Sequence, residues 1–361
     1  MPGETPWRIA ASRALLLAPG LLVGCLFTTA WAKEEAPTMT APQPAAPAVR
    51  SPVIADHRVA DQTSLRAIPT RYIDAARRSF HVAYMHTSHG THVTFGVYGL
   101  PGFRPGDEAL FGVTANAATP DPDKLDFNDY AFTHKPPDLS QADGDWDAWL
   151  ATVRAYLDDP ANARINVMMW SWCNIGGHDV PAYLRSMQTA IDEYGPGGAR
   201  VGTGAGKTRS TPVTFVFMTG HANRGANAGP GNPRDQARAV IDYCTAHGYP
   251  CLDYYGIDTH AMDGTYYEDA GDDGDSEAYR AAMGCSTVHR EPGTGADGTV
   301  VNCSYFSHWQ DAHAVGTDWY ENRSAPGGEA IFGAHTYQHL TANRKAFAFW
   351  YLLARLAGWE S

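Results

Sequence analysis

The chain has 361 residues, of which 44% are hydrophobic and 18% charged, enough for one large domain or two small ones around a sizeable core. Its formal net charge of −12 at pH 7 argues against nucleic acid or an anionic membrane surface as the main partner, because both reward a basic face.

Residues 1–32 read as a targeting segment. Arg8 and Arg13 precede an apolar run over residues 14–27 that is too short for a good membrane span. Ala30-Trp31-Ala32 offers a small-x-small cleavage site, whereas Leu22-Val23-Gly24-Cys25 has the form of a bacterial lipobox. Either route exports the protein, as a periplasmic, secreted or lipid-anchored species, and a lipid on Cys25 would be its tie to a membrane. Export permits disulfides. Proximity suggests pairing Cys244 with Cys251 and Cys285 with Cys303, and leaves Cys173, in an apolar run, as a buried free thiol. Residues 33–65 are rich in Ala and Pro and read as a linker. The folded domain is expected over residues 66–361.

From residue 66 helical and extended patterns alternate. A helix is expected over 69–78, then an apolar strand over 81–85 that runs into His86-Thr87-Ser88-His89-Gly90. Residues 91–137 are Gly- and Pro-rich and read as irregular. Trp146, Trp149, Leu150, Val153, Tyr156 and Leu157 follow helical spacing and place a helix over 145–157. A buried strand over 165–170 precedes a helix opened by Asp179 and closed by Gly195. A strand over 212–218, a helix from Asn232 to Gly248, a short strand over 250–255 and a strongly apolar helix over 341–356 complete the pattern. Residues 202–208 look like a phosphate loop, but Val201 stands where the motif's first glycine is needed, so they read as a helix–strand connection. Between 259 and 332 the pattern breaks. The acidic, Gly-rich run over 263–275 reads as a solvated insertion stapled by Cys285 and Cys303. Its carboxylates would suit Ca²⁺, but the spacing of a calcium loop is lacking.

Alternating strands and helices imply an α/β fold with a mostly parallel sheet covered on both faces. The chemistry of such sheets collects at the carboxyl ends of the strands. Those ends read Thr87-Ser88-His89-Gly90, Ser171-Trp172-Cys173-Asn174, Thr219-Gly220-His221-Ala222-Asn223 and Gly256-Ile257-Asp258. Ser88 is the candidate nucleophile; serine is a poor one until a base takes its proton, and an acyl reaction also needs oxyanion donors. The plainer reading of Ser88 is a turn residue. His86, His89, His221, Asn223 and Asp258 are candidate pocket residues. His86, His89 and His92 would offer three imidazoles to Zn²⁺ if a turn gathered them, although their spacing is not a standard zinc motif.

Two further histidines, His335 and His339, precede the last helix. His339-Leu340-Thr341 leading into a closing helix resembles the histidine block of the SGNH (GDSL-like) hydrolases. The run from Tyr84 to Gly90 stands where that family has its nucleophile block. The run from Val167 to Asn174 stands where it has a strand ending in Gly-x-Asn. Residues 86–90, 170–173, 219–221 and 354–359 also resemble the His-x-Ser-x-Gly, Trp-Ser-x-Cys, Thr-Gly-His and Ala-Arg-Leu-Ala-Gly-Trp strings of a divergent exported branch. The resemblance covers nearly all of the chain from about residue 70.

It implies a three-layer, flavodoxin-like sandwich with Ser88 as nucleophile and no cofactor. His339, by motif phase, or His335, by its Ala-His string, would be the base. The Ser88 backbone N–H, Asn174 and the second-block glycine, for which Gly112 stands, would form the oxyanion hole. Two departures stand out. Met85-His86-Thr87-Ser88 replaces Gly-Asp-Ser, and the expected acid falls on Thr336, or on Phe332 if His335 is the base. Asp318, Glu329 and Asp258 are the other candidate acids. The implied activity is exported ester hydrolysis, on a small acyl ester or an acylated polysaccharide, with carbohydrate deacetylation as one form. The missing acid favours an alternative, an inactive carbohydrate-binding or cell-surface module with Tyr254, Tyr255, Tyr266 and Tyr267 as a sugar surface. The zinc hydrolase is the third reading.

Overall fold

Seven short strands are laid down in the computed structural model, which describes residues 52–131, 139–142, 145–286 and 303–360. They are β1 (Ile54–Ala55), β2 (His81–Met85), β3 (Val113–Ala115), β4 (Leu125–Asp129), β5 (Val167–Trp170), β6 (Thr214–Met218) and β7 (Cys251–Leu252). All pair in parallel, in the order β1-β7-β6-β5-β2-β4-β3. The run β4-β2-β5-β6-β7 has the 2-1-3-4-5 order of flavodoxin-like sheets, and its direction of progression reverses beside β2. Met85 pairs with Trp170 and Tyr84 with Asp129, so the turns leaving β2, β4 and β5 emerge side by side.

Side chains alternate across each strand and so address two separate cores. Val82, Tyr84, Phe127, Met169 and Met218 pack beneath α1 (Gln62–Ala67), α2 (Thr70–Ser79), α3 (Thr91–Gly99), α4 (Asp107–Phe111) and α11 (Leu340–Leu356). Ala83, Met85, Met168, Trp170 and Phe217 pack on the other face, against α5 (Trp146–Asp158), α6 (Val180–Tyr194) and α7 (Pro233–His247). The result is a three-layer α/β/α sandwich. Asp179 opens its helix as expected, accepting from the Ala182 backbone N–H, and Asp145, expected as the first helical residue, instead caps α5 by accepting from Ala148. α11 is buried on every side from Leu340 to Ala354 and takes Arg344 and Lys345 inside with it.

Several expectations are corrected. Residues 91–137 are not irregular where described, since they supply α3, α4, β3 and β4. The β-branched residues and glycines of α3 are poor helix formers. Gly96 nevertheless serves the packing, because a Cβ there would lie 2.2 Å from the carbonyl oxygen of Ala342 on α11. The folded part begins before residue 66, with β1 on β7 and Leu65 of α1 in the core. The strand expected over 250–255 stops at Leu252, and residues 254–259 form α8 (Tyr254–Thr259), capped by Asp253.

The acidic run is not a solvated insertion. Residues 270–276 are buried, ahead of α9 (Glu277–Met283) and α10 (Tyr305–Asp311). Asp275 is held by Arg224 and Arg280, and the Thr341 hydroxyl donates to the Asp272 carbonyl at 3.0 Å. Cys285 and Cys303 form the expected disulfide. Cys244 and Cys251 do not. They are buried free thiols on the core faces of α7 and β7, and a hydrogen bond between them, together with burial, holds the Cys251 thiol above its usual range. The targeting segment with Cys25, and the linker up to residue 51, lie outside the described residues. Among the described residues no helix is long and apolar enough to cross a membrane.

Candidate active site

β2 delivers the polar turn to the carboxyl edge of the sheet, where residues 88–90 form a single 3₁₀ turn before α3. The chain folds back so tightly that a Cβ on Gly90 would lie 2.1 Å from the His86 Cβ and 2.7 Å from the Ser171 hydroxyl. Glycine is therefore required there. Ser88 is left half-buried at the point where the strand order reverses, facing the residue that follows β5 in the same position. Its hydroxyl lies 3.5 Å from the thiol of Cys173. That thiol lies 3.6 Å from Nδ1 of His89, whose Nε2 lies 3.3 Å from Oδ2 of Asp272.

Three imidazoles gather over this turn. His89 stacks on His221 at 3.7 Å and on His335 at 4.5 Å between ring centroids. His221 comes from the end of β6, and its Nδ1 donates to the Ala222 carbonyl at 2.8 Å. Burial lowers His89 far below its ordinary value and lowers His221 to about 4, the neighbouring histidines and Lys345 adding to the effect, so both rings are neutral at pH 7. His335 is exposed and holds a left-handed φ of 63°. Non-glycine residues in that region collect at functional sites, and histidine adopts it more readily than most. The loop carrying His335 is tied to the Ser88 turn. The Ala334 N–H donates to the Thr91 hydroxyl at 2.9 Å, and that hydroxyl donates to the Ser88 carbonyl at 2.6 Å.

His339 stands elsewhere. Its Nδ1 accepts from the Asn322 N–H at 3.1 Å, its backbone N–H donates to Gln310, and its ring packs against Trp319 and Phe332. Burial, with Arg323 nearby, lowers it to about 4. His86 and His92 are also committed. His86 faces Asp129 at 2.7 Å and the Thr87 carbonyl at 2.7 Å. His92 donates to the Ala334 carbonyl through Nε2 at 2.7 Å and accepts from Lys345 at Nδ1 at 2.8 Å. The expected zinc trio of His86, His89 and His92 is therefore not assembled, because the turn and the first turn of α3 send the three rings to different partners.

The candidate acids sort in the same way. Asp258 is buried against Lys345, with Oδ1 2.6 Å from Nζ, and accepts the Ala222 N–H. Burial raises it to about 6 despite that partner. Asp318 accepts the Ala314 N–H in an outlying turn, and Glu329 is exposed. Among the described residues no carboxylate pairs with His335 or His339. The carboxylate at the site is Asp272, from the run expected to be solvent, and burial beside Asp258 and Asp273 raises it well above the usual range. Asp272, Cys173 and Lys345 are the residues that sequence reasoning missed. The strand-end position of Cys173 was the one available signal.

Asn174 follows Cys173. Its Oδ1 accepts from Gly176 at 2.9 Å and from the Asn223 amide at 3.0 Å, which leaves Nδ2 as its available donor. Gly112 immediately precedes β3, at the amino end of an edge strand and so away from the Ser88 end of the parallel sheet. The expected sugar surface also dissolves. Tyr254 and Tyr255 are buried, Tyr254 donating to the His89 carbonyl at 2.7 Å, while Tyr267 stacks on Tyr305 and only Tyr266 of the four is exposed. A separate hollow of about 490 Å³ is lined by Tyr98, Pro101, Glu108, Lys124 and Arg323, and none of the strand-end residues reaches it. Compared with known proteins, the chain matches no protein-family profile, no curated protein and no solved structure.

Proposed function

We propose that this chain is an acyl-ester hydrolase of the SGNH type, with Ser88 as nucleophile and His335 as base. The observation that carries this reading is the position of Ser88 at the reversal of the sheet, on a turn tied through Thr91 to the loop bearing His335. The Ser88 hydroxyl attacks the acyl carbonyl and gives its proton to His335. The alcohol leaves with that proton, and water then releases the acid. Asn174 Nδ2 and the Ser88 backbone N–H are the donors for the oxyanion. Carbohydrate deacetylation fits the same chemistry.

Hydrolysis of p-nitrophenyl acetate tests the assignment. Ser88→Ala and His335→Ala should each lower turnover about 1,000-fold or more. His339→Ala should leave most of it. Full activity in Ser88→Ala would sink the reading. One observation favours a second nucleophile: Cys173 approaches His89, and His89 approaches Asp272, in the order of a thiol triad. Under that reading Cys173→Ala, and not Ser88→Ala, abolishes turnover.

A further inference from the structure

His89, His221 and Asp272 present ligand atoms that all lie within 4.8 Å of one another. They come from three separate parts of the chain, the β2 turn, the β6 end and the buried acidic run, and converge over the reversal of the sheet. We propose that these three side chains bind one divalent first-row cation of the Zn²⁺ class and leave a coordination position open toward Ser88.

The first support is geometric. A tetrahedral zinc with bonds of about 2.0–2.1 Å separates its ligand atoms by roughly 3.3–3.4 Å. His89 Nε2 and Asp272 Oδ2 stand 3.3 Å apart, the edge of such a tetrahedron. The second support is an unsatisfied group. Asp272 Oδ2 is buried and makes no hydrogen bond. Burying a carboxylate oxygen without a partner is costly. Lys345, the nearby cation, is paired with Asp258 at 2.6 Å and also donates to His92 at 2.8 Å and to Thr341 at 3.3 Å. Asp258 and Lys345 pair with each other, and Asp272 is left with its Oδ2 facing His89 Nε2 at 3.3 Å.

The third support is the surrounding hydrogen bonding. The bond from His221 Nδ1 to the Ala222 carbonyl orients the ring, as the outer hydrogen bonds of metal-ligating histidines do. Two imidazoles and one carboxylate are a donor set for zinc or ferrous iron and not for Ca²⁺ or Mg²⁺, which take oxygen. Another trio, Cys285, Cys303 and His308, offers no comparable site, because its two sulfurs are joined in the disulfide.

The full chain, stripped with chelator and dialysed, is titrated with Zn²⁺ and its metal content is measured. One equivalent should bind, and His221→Ala and Asp272→Asn should each lower the affinity about 100-fold or more. Ser88→Ala should still take up one equivalent, so failure of the serine reading and failure of this one are separate results. Absence of uptake by the wild type, or unchanged uptake in both ligand variants, overturns the proposal. If a variant does not fold, the wild type loaded with Co²⁺ still decides. A four- or five-coordinate spectrum without thiolate charge transfer supports the site, and a thiolate band, which would assign the metal to Cys173, contradicts it.

Discussion

The histidines around Ser88 differ less in position than in what their nitrogens already do. His86 and His92 have both ring nitrogens engaged by oxygen acceptors or by Lys345, and His339 is locked to the Asn322 backbone. His89 instead stacks on both His221 and His335. Burial keeps His89 and His221 neutral, the state that a base or a metal ligand requires. The same burial makes His339 an acid-sensitive element. Its folded value of about 4 lies below the ordinary 6.5, so the unfolded chain binds the proton first. Its contribution is complete above pH 6.5 and is lost as the pH falls toward 4, up to about 3 kcal/mol. Asp253 and Asp258, raised by burial to about 6, work in the opposite direction, because they gain protons more readily when folded. The comparison of wild type with His339→Gln therefore isolates the effect. Urea denaturation at pH 7 and at pH 4.5 should show a shallower loss of stability in the variant, and equal losses would remove His339 from the account.

Among the elements, strands that are apolar on both faces announced themselves in the sequence. β2, β5 and β6 are continuous apolar runs, and their polar exits were legible as strand ends. α5, α6 and α7 carried helical spacing or caps that formed as expected. α3 was not legible, since Thr91, Val93, Thr94, Gly96 and Gly99 disfavour a helix locally and only tertiary packing against α11 selects it. Gly96→Ala tests this directly. A methyl group 2.2 Å from the Ala342 carbonyl must push the two helices apart, at a cost of about 1–3 kcal/mol. The variant should melt several degrees lower with the same secondary structure, and an unchanged melting temperature would mean that the helices do not meet so closely. The acidic run over 263–275 was misread for a related reason. Its composition is that of a solvated loop, and nothing local shows that Arg224 and Arg280 draw Asp275 inward and bring Asp272 to the site.

At the scale of the whole molecule, the topology gathers the site from pieces far apart in the chain. The order 2-1-3-4-5 puts the exits of β2 and β5 next to each other, so Ser88 and Cys173 meet across 85 residues. Strand order cannot be read from the alternation of helices and strands, so the sequence yielded the candidate turns without their partners. Resemblance to the SGNH hydrolases pointed to the C-terminal histidines and, by motif phase, to His339; the chain fold instead ties the His335 loop to the Ser88 turn. The most direct test of the central claim is labelling of the intact protein with a fluorophosphonate probe, read by peptide mass spectrometry. One adduct per chain is expected, on Ser88, and it should disappear in Ser88→Ala. No adduct on Ser88 under conditions in which the protein hydrolyses an ester would contradict it.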